Sequence, residues 1–540
     1  MTVFDLVVAV AGCLLTASTC YAAERPNVLF VLTEDQGAHL SVLETPELQT
    51  PHMDALARSG TYFRNAFVAY PVCSASKAAL YTGLHNHTNG VLNNTLNFHK
   101  PASEVSAAER GRKLSRTNRI HDNYTTLTEI LSANGYYQGV THKLHVLTNE
   151  KFPYDEFLNG SRKEIARFIQ TAATRRQPWF LMVNIPNSHR PYPNSEETPI
   201  RVDPGNVELP AFLPDSPEVR KDWAEYFAGV EQADAVTGEA LKVLEESGQS
   251  ENTIVVFMSD HGPTFPHGKM TLYDLGVRVP LVIRVPGIEQ RSFTDELVSE
   301  LVLLPTILEL CGIEQTFEYA LHGRSTIDLL RNDADAKGRD YVFAEISNRG
   351  PLPNDGMQER SVFDGRWKLT YREGVEKAWR QVNADSRQFA VWGNRTYAET
   401  IRLKDTFPQQ FQILAEMDPQ TLGGTVAAIE VYDLKNDPDE MHNLVDEADA
   451  RAHKERVTAA LADWVTTTDD QSIKHLAGNS AKTAQDIRQP RSAFPIARSK
   501  KGLQVEILDD AVALGVKHAV FNLNLTSLFA TRASPANPTW

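Results

Sequence analysis

Acidic side chains follow two apolar segments that have the length and composition of buried strands. Glu34 and Asp35 end the first segment, and Asp260 and His261 end the second. Since parallel strands place their carboxyl ends at one edge of a sheet, we expect these four side chains to meet there. Acids that follow strands often cap the next helix, which is the simpler interpretation of either pair alone. The presence of two such pairs favours a metal site.

Three carboxylates cannot lie together without a cation, because burial and mutual repulsion oppose their ionisation. Carboxylate oxygens favour Ca²⁺ or Mg²⁺, and the single imidazole of His261 also allows Mn²⁺. The sequence therefore predicts a divalent cation at this edge of the sheet.

A cysteine near a predicted helix start is a candidate reactive group. Cys73 lies among small polar residues just before a helical run from Ser76 to Leu84. The dipole and free amide groups of a helix N-terminus favour an anion or a thiolate. Lys77, one turn further on, adds a cation.

Five more basic residues fall at predicted strand ends or in loops. Each alone is typical of a solvated surface charge, because lysine and arginine are mostly exposed in proteins. Together they would supply a local positive site for an anionic substrate. They are Lys143, His145, His189, Arg190 and Lys269.

The composition predicts a globular chain of more than one domain. Of the 540 residues, 42% are hydrophobic and 23% are charged, which is near the average for folded proteins and argues against disorder. The net charge of −15 provides no global positive field for nucleic acid or an anionic membrane, so an anion must be met in a pocket. Beyond the leader only Cys73 and Cys311 remain, too few for a disulfide framework or a four-cysteine zinc site.

Residues 1–23 have the character of a signal peptide. An apolar run from Leu6 to Leu15 precedes small residues around Ala22, as in an h-region and cleavage zone, and it is too short to span a bilayer. A lipoprotein signal ending at Cys13 is a less favoured variant, and a buried first strand is the structural alternative. We expect an exported protein, periplasmic or extracellular, without a membrane span.

Strand and helix patterns alternate from residue 26 to about 287. This predicts an α/β fold with a mostly parallel sheet sandwiched by helices. Apolar strands are expected at 27–33, 178–185 and 253–258, with helix starts at Thr50-Pro51, Thr126 and Ser161.

After residue 340 the pattern changes to short strands, predicted at 341–346, 361–371 and 429–434, and a helix near 452–465. We therefore expect a catalytic domain at 24–340, a smaller α+β domain at 341–467 and a linker at 468–500. Residues 501–540 have a βαβ-like pattern, expected either to dock on the main domain or to open a further domain.

Short motifs recur in a consistent order over about residues 25–467. They are Arg25-Pro26-Asn27, Glu34-Asp35, Thr50 to Ala57, Cys73 to Gly83, Ser259 to Gly262, Lys269 to Tyr273, Arg278 to Pro280, Tyr432 to Leu434, Asp437-Pro438 and Asn443-Leu444. In these motifs the chain resembles the type I sulfatases of the alkaline phosphatase superfamily. The stretches at 63–67 and 265–273 resemble the heparan N-sulfatase (sulfamidase) branch.

The resemblance implies a sulfohydrolase that removes an O-sulfate or N-sulfamate from a sulfated saccharide. It implies that a maturation enzyme oxidises Cys73 to formylglycine, whose hydrate attacks sulfur and whose second hydroxyl then expels sulfate. Ca²⁺ is the expected metal. The metal ligands of the family are matched by position by Glu34, Asp35, residue 73, Asp260 and His261. The lysines that hold sulfate oxygens are matched by Lys143 and Lys269, and the histidine that assists formylglycine turnover is matched by His145. The general acid is matched by His189, and Arg190 is the candidate for substrate contact.

The chain departs from the usual C-x-P-x-R signature, with Ala75 in place of proline and Lys77 in place of arginine. Lysine replaces a bidentate donor with a point charge. Two alternatives therefore stay open: a phosphoester or phosphonate hydrolase on the same scaffold, and a non-catalytic relative that binds sulfated glycans.

Overall fold

The computed structural model describes residues 25–43, 45–288, 292–347, 357–375 and 395–477. The predicted leader at 1–23, residues 478–500 of the predicted linker and the predicted segment at 501–540 lie outside the described residues. Within the described ranges, no helix is both long and apolar enough to cross a membrane.

An eight-stranded sheet forms the centre of the protein, in the order β4-β3-β5-β1-β6-β7-β2-β8. All neighbouring strands are parallel except β7, which runs antiparallel to both β6 and β2. The predicted α/β fold with a mostly parallel sheet is confirmed. The strands are β1 (Asn27–Thr33), β2 (Thr61–Phe67), β3 (Tyr137–Thr141), β4 (Glu156–Leu158), β5 (Trp179–Ile185), β6 (Thr253–Ser259), β7 (Leu281–Arg284) and β8 (Phe293–Ser299).

Helices cover both faces of this sheet, and several begin where the sequence predicts. Thr126 and Glu129 form a complete capping box, and Ser161 caps the next long helix through the backbone N–H of Glu164. The helices are α1 (Pro51–Ser59), α2 (Cys73–Thr82), α3 (Asn86–Asn89), α4 (Ala107–Gly111), α5 (Lys113–Thr117), α6 (Leu127–Ala133), α7 (Arg162–Arg175), α8 (Pro217–Glu246), α9 (Asp274–Val277), α10 (Leu303–Leu310), α11 (Ile327–Leu330), α12 (Arg395–Arg402), α13 (Pro408–Met417), α14 (Pro419–Leu422) and α15 (Arg451–Thr468).

The central strands are buried on both faces, which explains their continuous apolar sequences. In β1, Leu29 and Val31 pack towards α1, α7 and α8, whereas Val28, Phe30 and Leu32 pack towards α2, α6 and α10. Strand β1 lies between β5 and β6 with its last residue opposite the last residue of each neighbour. The side chains that follow β1 and β6 therefore emerge at the same level of one sheet edge.

A smaller antiparallel sheet follows, in the order β12-β11-β10-β9, and α15 packs against it. Its strands are β9 (Val342–Ser347), β10 (Gln358–Phe363), β11 (Trp367–Glu373) and β12 (Ile429–Asp433). The single strand predicted at 361–371 was wrong. It is a hairpin that turns at Asp364-Gly365, where Gly365 has a φ of 95° and Asp364 accepts hydrogen bonds from two following backbone N–H groups.

The predicted start of the linker was also wrong. Residues 469–477 continue the fold after α15, with a short 3₁₀ helix at Gln471–Leu476. Ile473 and Leu476 are buried against the smaller sheet.

A buried arginine ties this C-terminal segment to the rest of the protein. The Arg360 side chain is fully buried, and its Nε lies 2.6 Å from Asp470 and its Nη2 3.3 Å from Glu345. Burial opposes the ionised form of Glu345, but His87 and Arg360 outweigh this and hold its pKa below the usual value. Arg360 thus links β9, β10 and the segment after α15.

We expect Arg360→Met to lower the free energy of unfolding by about 3–5 kcal/mol, because two buried carboxylates lose their shared cation while the volume is kept. Denaturant unfolding measures this loss. The control is Arg64→Ala, which removes the exposed pair with Asp295 and should cost less than about 1 kcal/mol. Equal losses in the two variants would show that the Arg360 network adds no particular stability.

Candidate active site

The predicted acids do meet at the carboxyl edge of β1 and β6. The backbone N–H of Asp35 donates to Asp260 Oδ1 at 3.0 Å, and the backbone N–H of Asp260 donates to Thr33 O at 3.0 Å. Asp35 has a φ of 55°, in the left-handed region, so the chain turns sharply as it leaves β1. Both aspartates are fully buried.

Four of the predicted metal ligands converge. One ligand atom from each of Asp35, Cys73, Asp260 and His261 lies within 4.8 Å of all the others. His261 Nε2 is 3.2 Å from Cys73 Sγ, 3.5 Å from Asp35 Oδ1 and 3.7 Å from Asp260 Oδ1. The other ring nitrogen of His261 lies 2.9 Å from the carbonyl oxygen of Gly262 and must donate to it, so in the neutral ring the Nε2 lone pair faces the cluster.

The electrostatics of this cluster fit a divalent cation. Burial raises the pKa of Asp260 to about 6. Burial opposes protonation of His261, yet Asp260, Cys73 and Asp35 raise its pKa to about 9, which reflects the concentration of negative charge around the ring. Asp260 Oδ2 is buried and has no hydrogen-bond partner among the described residues. A bound cation would satisfy that oxygen and offset the shared charge.

Glu34, the fifth predicted metal ligand, pairs with two lysines and is not among the four converging ligands. Its Oε1 accepts from Lys77 Nζ at 2.9 Å and its Oε2 from Lys143 Nζ at 2.5 Å. Burial would raise the pKa of Glu34, but the two lysines outweigh this and hold it well below its usual value. The structure therefore places the Glu34 carboxylate between two ammonium groups, whereas the four converging ligand atoms belong to other side chains.

The carboxylate of Asp35 forms an ion pair with Lys269. Lys269 Nζ lies 3.1 and 3.0 Å from the two carboxylate oxygens of Asp35, and Thr264 Oγ1 donates to Asp35 Oδ2 at 2.8 Å. Lys269 Nζ is also 3.4 Å from His189 Nε2. Nδ1 of His189 lies 2.5 Å from the carbonyl oxygen of Arg190 and must donate to it, so a second proton on this ring would sit on Nε2, facing the site.

Cys73 is the first residue of α2, three residues before the predicted start of that helix. Burial alone would raise the pKa of the thiol, but Lys269, Lys143 and His261 hold it well below the usual value. His145 also contacts the thiol, and burial lowers the pKa of its imidazole, which favours the neutral form. Lys143 and Lys269 of the predicted basic residues therefore act on the Cys73 thiol electrostatically, and His145 contacts it.

Arg190, the candidate for substrate contact, has its side chain buried against other residues of the protein. Its side chain is only 4% exposed, and its Nη1 and Nη2 donate to the two carboxylate oxygens of Asp222 at 2.8 and 2.7 Å. The guanidinium also contacts two aromatic rings, with its central carbon 4.2 Å from the centre of the Tyr192 ring and 4.9 Å from that of Phe265. This packing assigns Arg190 to holding the loop that carries His189, in place of substrate contact.

Two residues at the site were missed from the sequence. Thr264 donates to Asp35, and Ser188 Oγ donates to the backbone oxygen of Glu34 at 2.6 Å. Both lie in loops without periodicity. Their position within five residues of a predicted site residue is the only signal they carry in the sequence.

The chain matches two family models. The sulfatase model covers residues 26–313, and a model described as N-sulphoglucosamine sulphohydrolase, C-terminal, covers residues 264–399. Human N-sulphoglucosamine sulphohydrolase is 31% identical over 353 residues, which are 58% of this chain and 66% of that protein. An ulvan-active sulfatase of Formosa agariphila is 27% identical over 485 residues, 83% of this chain and 76% of that protein.

Solved structures share the fold. A putative sulfatase from Bacteroides fragilis superposes with a TM-score of 0.60 at 17% identity. The superposition covers 84% of this chain and 98% of the Bacteroides fragilis chain. A structure described as a complex with its substrate D-glucosamine-2-N,6-O-disulfate has a TM-score of 0.56 at 17% identity, covering 83% and 99%. The family matches show that the chain belongs to the type I sulfatases, a family of sulfuric ester hydrolases, and that it is similar to the sulfamidase branch of that family.

Proposed function

We propose that this enzyme hydrolyses a sulfate ester or N-sulfamate of a sulfated saccharide, with Cys73 as the precursor of a formylglycine nucleophile. The convergence of Cys73 with Asp35, Asp260 and His261 carries the proposal. The names of the relatives point to sugars as substrates, since they act on N-sulphoglucosamine and on ulvan.

The metal and the modified side chain of residue 73 would both contribute to sulfate hydrolysis at this cluster. Asp35, Asp260, His261 and residue 73 would hold the cation, which supplies Lewis-acid stabilisation of charge on the sulfate oxygens. Formylglycine supplies a geminal diol whose one hydroxyl attacks sulfur and whose other expels sulfate. With sulfur at position 73 the donor set favours Zn²⁺, whereas an oxygen there favours Ca²⁺, Mg²⁺ or Mn²⁺.

Lys143 and Lys269 both act electrostatically on Cys73, one paired with Glu34 and the other with Asp35. In these positions they would bind the oxygens of the transferring sulfonate group and stabilise charge as it develops. Lys77, fixed on Glu34, would hold that carboxylate in place.

Two histidines can take part in proton transfer. His145, neutral because burial lowers its pKa, lies against Cys73 and can take a proton from the side chain at that position. His189 would carry its second proton on Nε2, from which it can protonate the leaving oxygen or nitrogen of the sugar.

The leader at 1–23 supports export to the periplasm or the extracellular space, with lipid attachment at Cys13 a less favoured route. The proposal also requires a maturation enzyme that recognises the sequence around Cys73.

We expect the peptide containing Cys73 to lose about 18 Da when the protein is expressed with a formylglycine-generating enzyme, because an aldehyde oxygen replaces the thiol. Peptide mass spectrometry measures this change. The peptide containing Cys311, which is buried at the C-terminal end of α10, serves as the internal control and should keep its mass. An unmodified thiol in every maturation host would favour the phosphoester hydrolase or the glycan-binding relative.

Asp260→Ala should abolish metal binding and turnover together, because it removes a ligand whose second oxygen has no other partner among the described residues. Metal content per chain and the metal-dependent rise in thermal midpoint measure binding separately from activity. The matched control is Asp54→Asn, a buried acid on α1 held by Ser41 and Thr50. An Asp260→Ala protein that keeps its metal would overturn the ligand assignment.

His189→Ala should slow hydrolysis of a sulfated sugar by about 10²–10⁴-fold, because a sugar alkoxide or amine leaves poorly without a proton. The rate of hydrolysis of an aryl sulfate should fall far less in this variant, because a phenolate leaves without being protonated. Turnover numbers for both substrates provide the comparison, with His142→Asn as the control at an exposed histidine on a neighbouring loop. Equal losses on both substrates would argue that His189 only positions Lys269.

A further inference from the structure

The segment from Lys100 to Arg119, here called the basic segment, has a charge opposite to that of the protein. It carries six lysine and arginine residues and two glutamates, in a chain whose net charge is −15. It contains the short helices α4 and α5 and lies within the described residues. Such a local reversal of charge creates a positive field where the rest of the surface repels polyanions.

Part of this charge is already neutralised. Lys100 pairs with Glu109, Arg110 with Glu150 and Arg119 with Asp122. The side chains of Arg112 and Arg116 make no ion pair with any residue that the structure describes, and Arg116 is exposed. These two guanidinium groups are the positive charge available for a partner.

The basic segment is held close to the reaction centre. The Arg112 guanidinium lies 6.0 Å from the centre of the Phe98 ring. Asn97, the neighbouring residue, accepts a hydrogen bond from the backbone N–H of His145 at 3.1 Å. His145 in turn contacts Cys73, so Arg112 is connected to the proposed nucleophile through Phe98, Asn97 and His145.

The segment is also rigid at its ends. The side-chain amide of Asn118 donates to the backbone oxygens of Asn93 and Asn94, and that of Asn149 donates to the backbone oxygens of Phe98 and Lys100. Asn94 accepts from the backbone N–H of Ser74, at the start of α2. A charged group on this segment therefore keeps a fixed distance from the site.

We infer that the basic segment binds a sulfated polysaccharide chain, through anionic groups on sugar units beyond the one whose sulfate is removed. Arginine suits this role because its planar donors match sulfate and carboxylate groups. The inference rests on the proposed function for the chemistry of the ligand, and it deepens that function from a sulfated saccharide to a polyanionic chain.

The test is the affinity for heparin, used as a sulfated polysaccharide probe, of the charge-reversed pair Arg112→Glu/Arg116→Glu in a Cys73→Ala background. Calorimetry should show a loss of about tenfold or more at about 50 mM salt, shrinking towards the parent value at high salt as screening increases. The neutral pair Arg112→Gln/Arg116→Gln should lose less. The control pair Lys163→Glu/Lys242→Glu makes the same charge change at exposed positions of α7 and α8 and should bind as the parent does.

With residue 73 intact and matured, the charge-reversed pair should hydrolyse a small sulfated substrate with kcat/KM within about twofold of the parent. Unchanged heparin affinity, or an equal loss in the control pair, overturns the inference. If the parent binds heparin through the basic segment but hydrolyses no sulfated saccharide, the proposed function fails while the binding surface stands.

Discussion

Buried negative charge at the carboxyl edge of β1 and β6 is the constraint around which the site is arranged. Glu34, Asp35 and Asp260 are each no more than 2% exposed, and none could stay ionised there without compensation. Glu34 is offset by two lysines and Asp35 by a third. One carboxylate oxygen of Asp260 has no hydrogen-bond partner among the described residues, and a metal ion would bind at that oxygen. The same cations that make the acids tolerable are those that a sulfate group needs.

The smaller sheet takes part in this arrangement through the loop that carries Lys269. Tyr273, at the end of that loop, donates to Glu430 on β12 at 3.2 Å, and Glu430 pairs with Arg372 on β11. The next backbone N–H, that of Asp274, donates to the buried carboxylate of Glu440 at 2.5 Å. Lys269 thus reaches Asp35 at the edge of the large sheet from a loop that is anchored on the small sheet.

The parts of the structure that depend on local chemistry could be predicted from the sequence. The capping box at Thr126 and the acids after β1 and β6 are examples. Contacts between distant residues could not be predicted: the burial of Arg190 depends on Asp222, 32 residues away, and on the rings of Tyr192 and Phe265. Glu34 and Asp35 were both expected to bind the metal because both follow β1, but Glu34 pairs with Lys77 and Lys143, whereas Asp35 lies in the cluster of ligand atoms. The hairpin at Asp364-Gly365 was predictable, since this dipeptide is a strong turn signal that the prediction overlooked.

The lysine at position 77 and the glutamate at position 34 are matched to each other. Lys77 is only 2% exposed and occupies Oε1 of Glu34, which leaves Oε2 to Lys143. An arginine at position 77 would bind both carboxylate oxygens at once and compete with Lys143 for the second. Glutamate, longer than aspartate by one methylene group, brings the carboxylate within reach of both ammonium groups. The lysine in the signature therefore leaves the second carboxylate oxygen of Glu34 to Lys143, a charge arrangement that suits the proposed binding of sulfate.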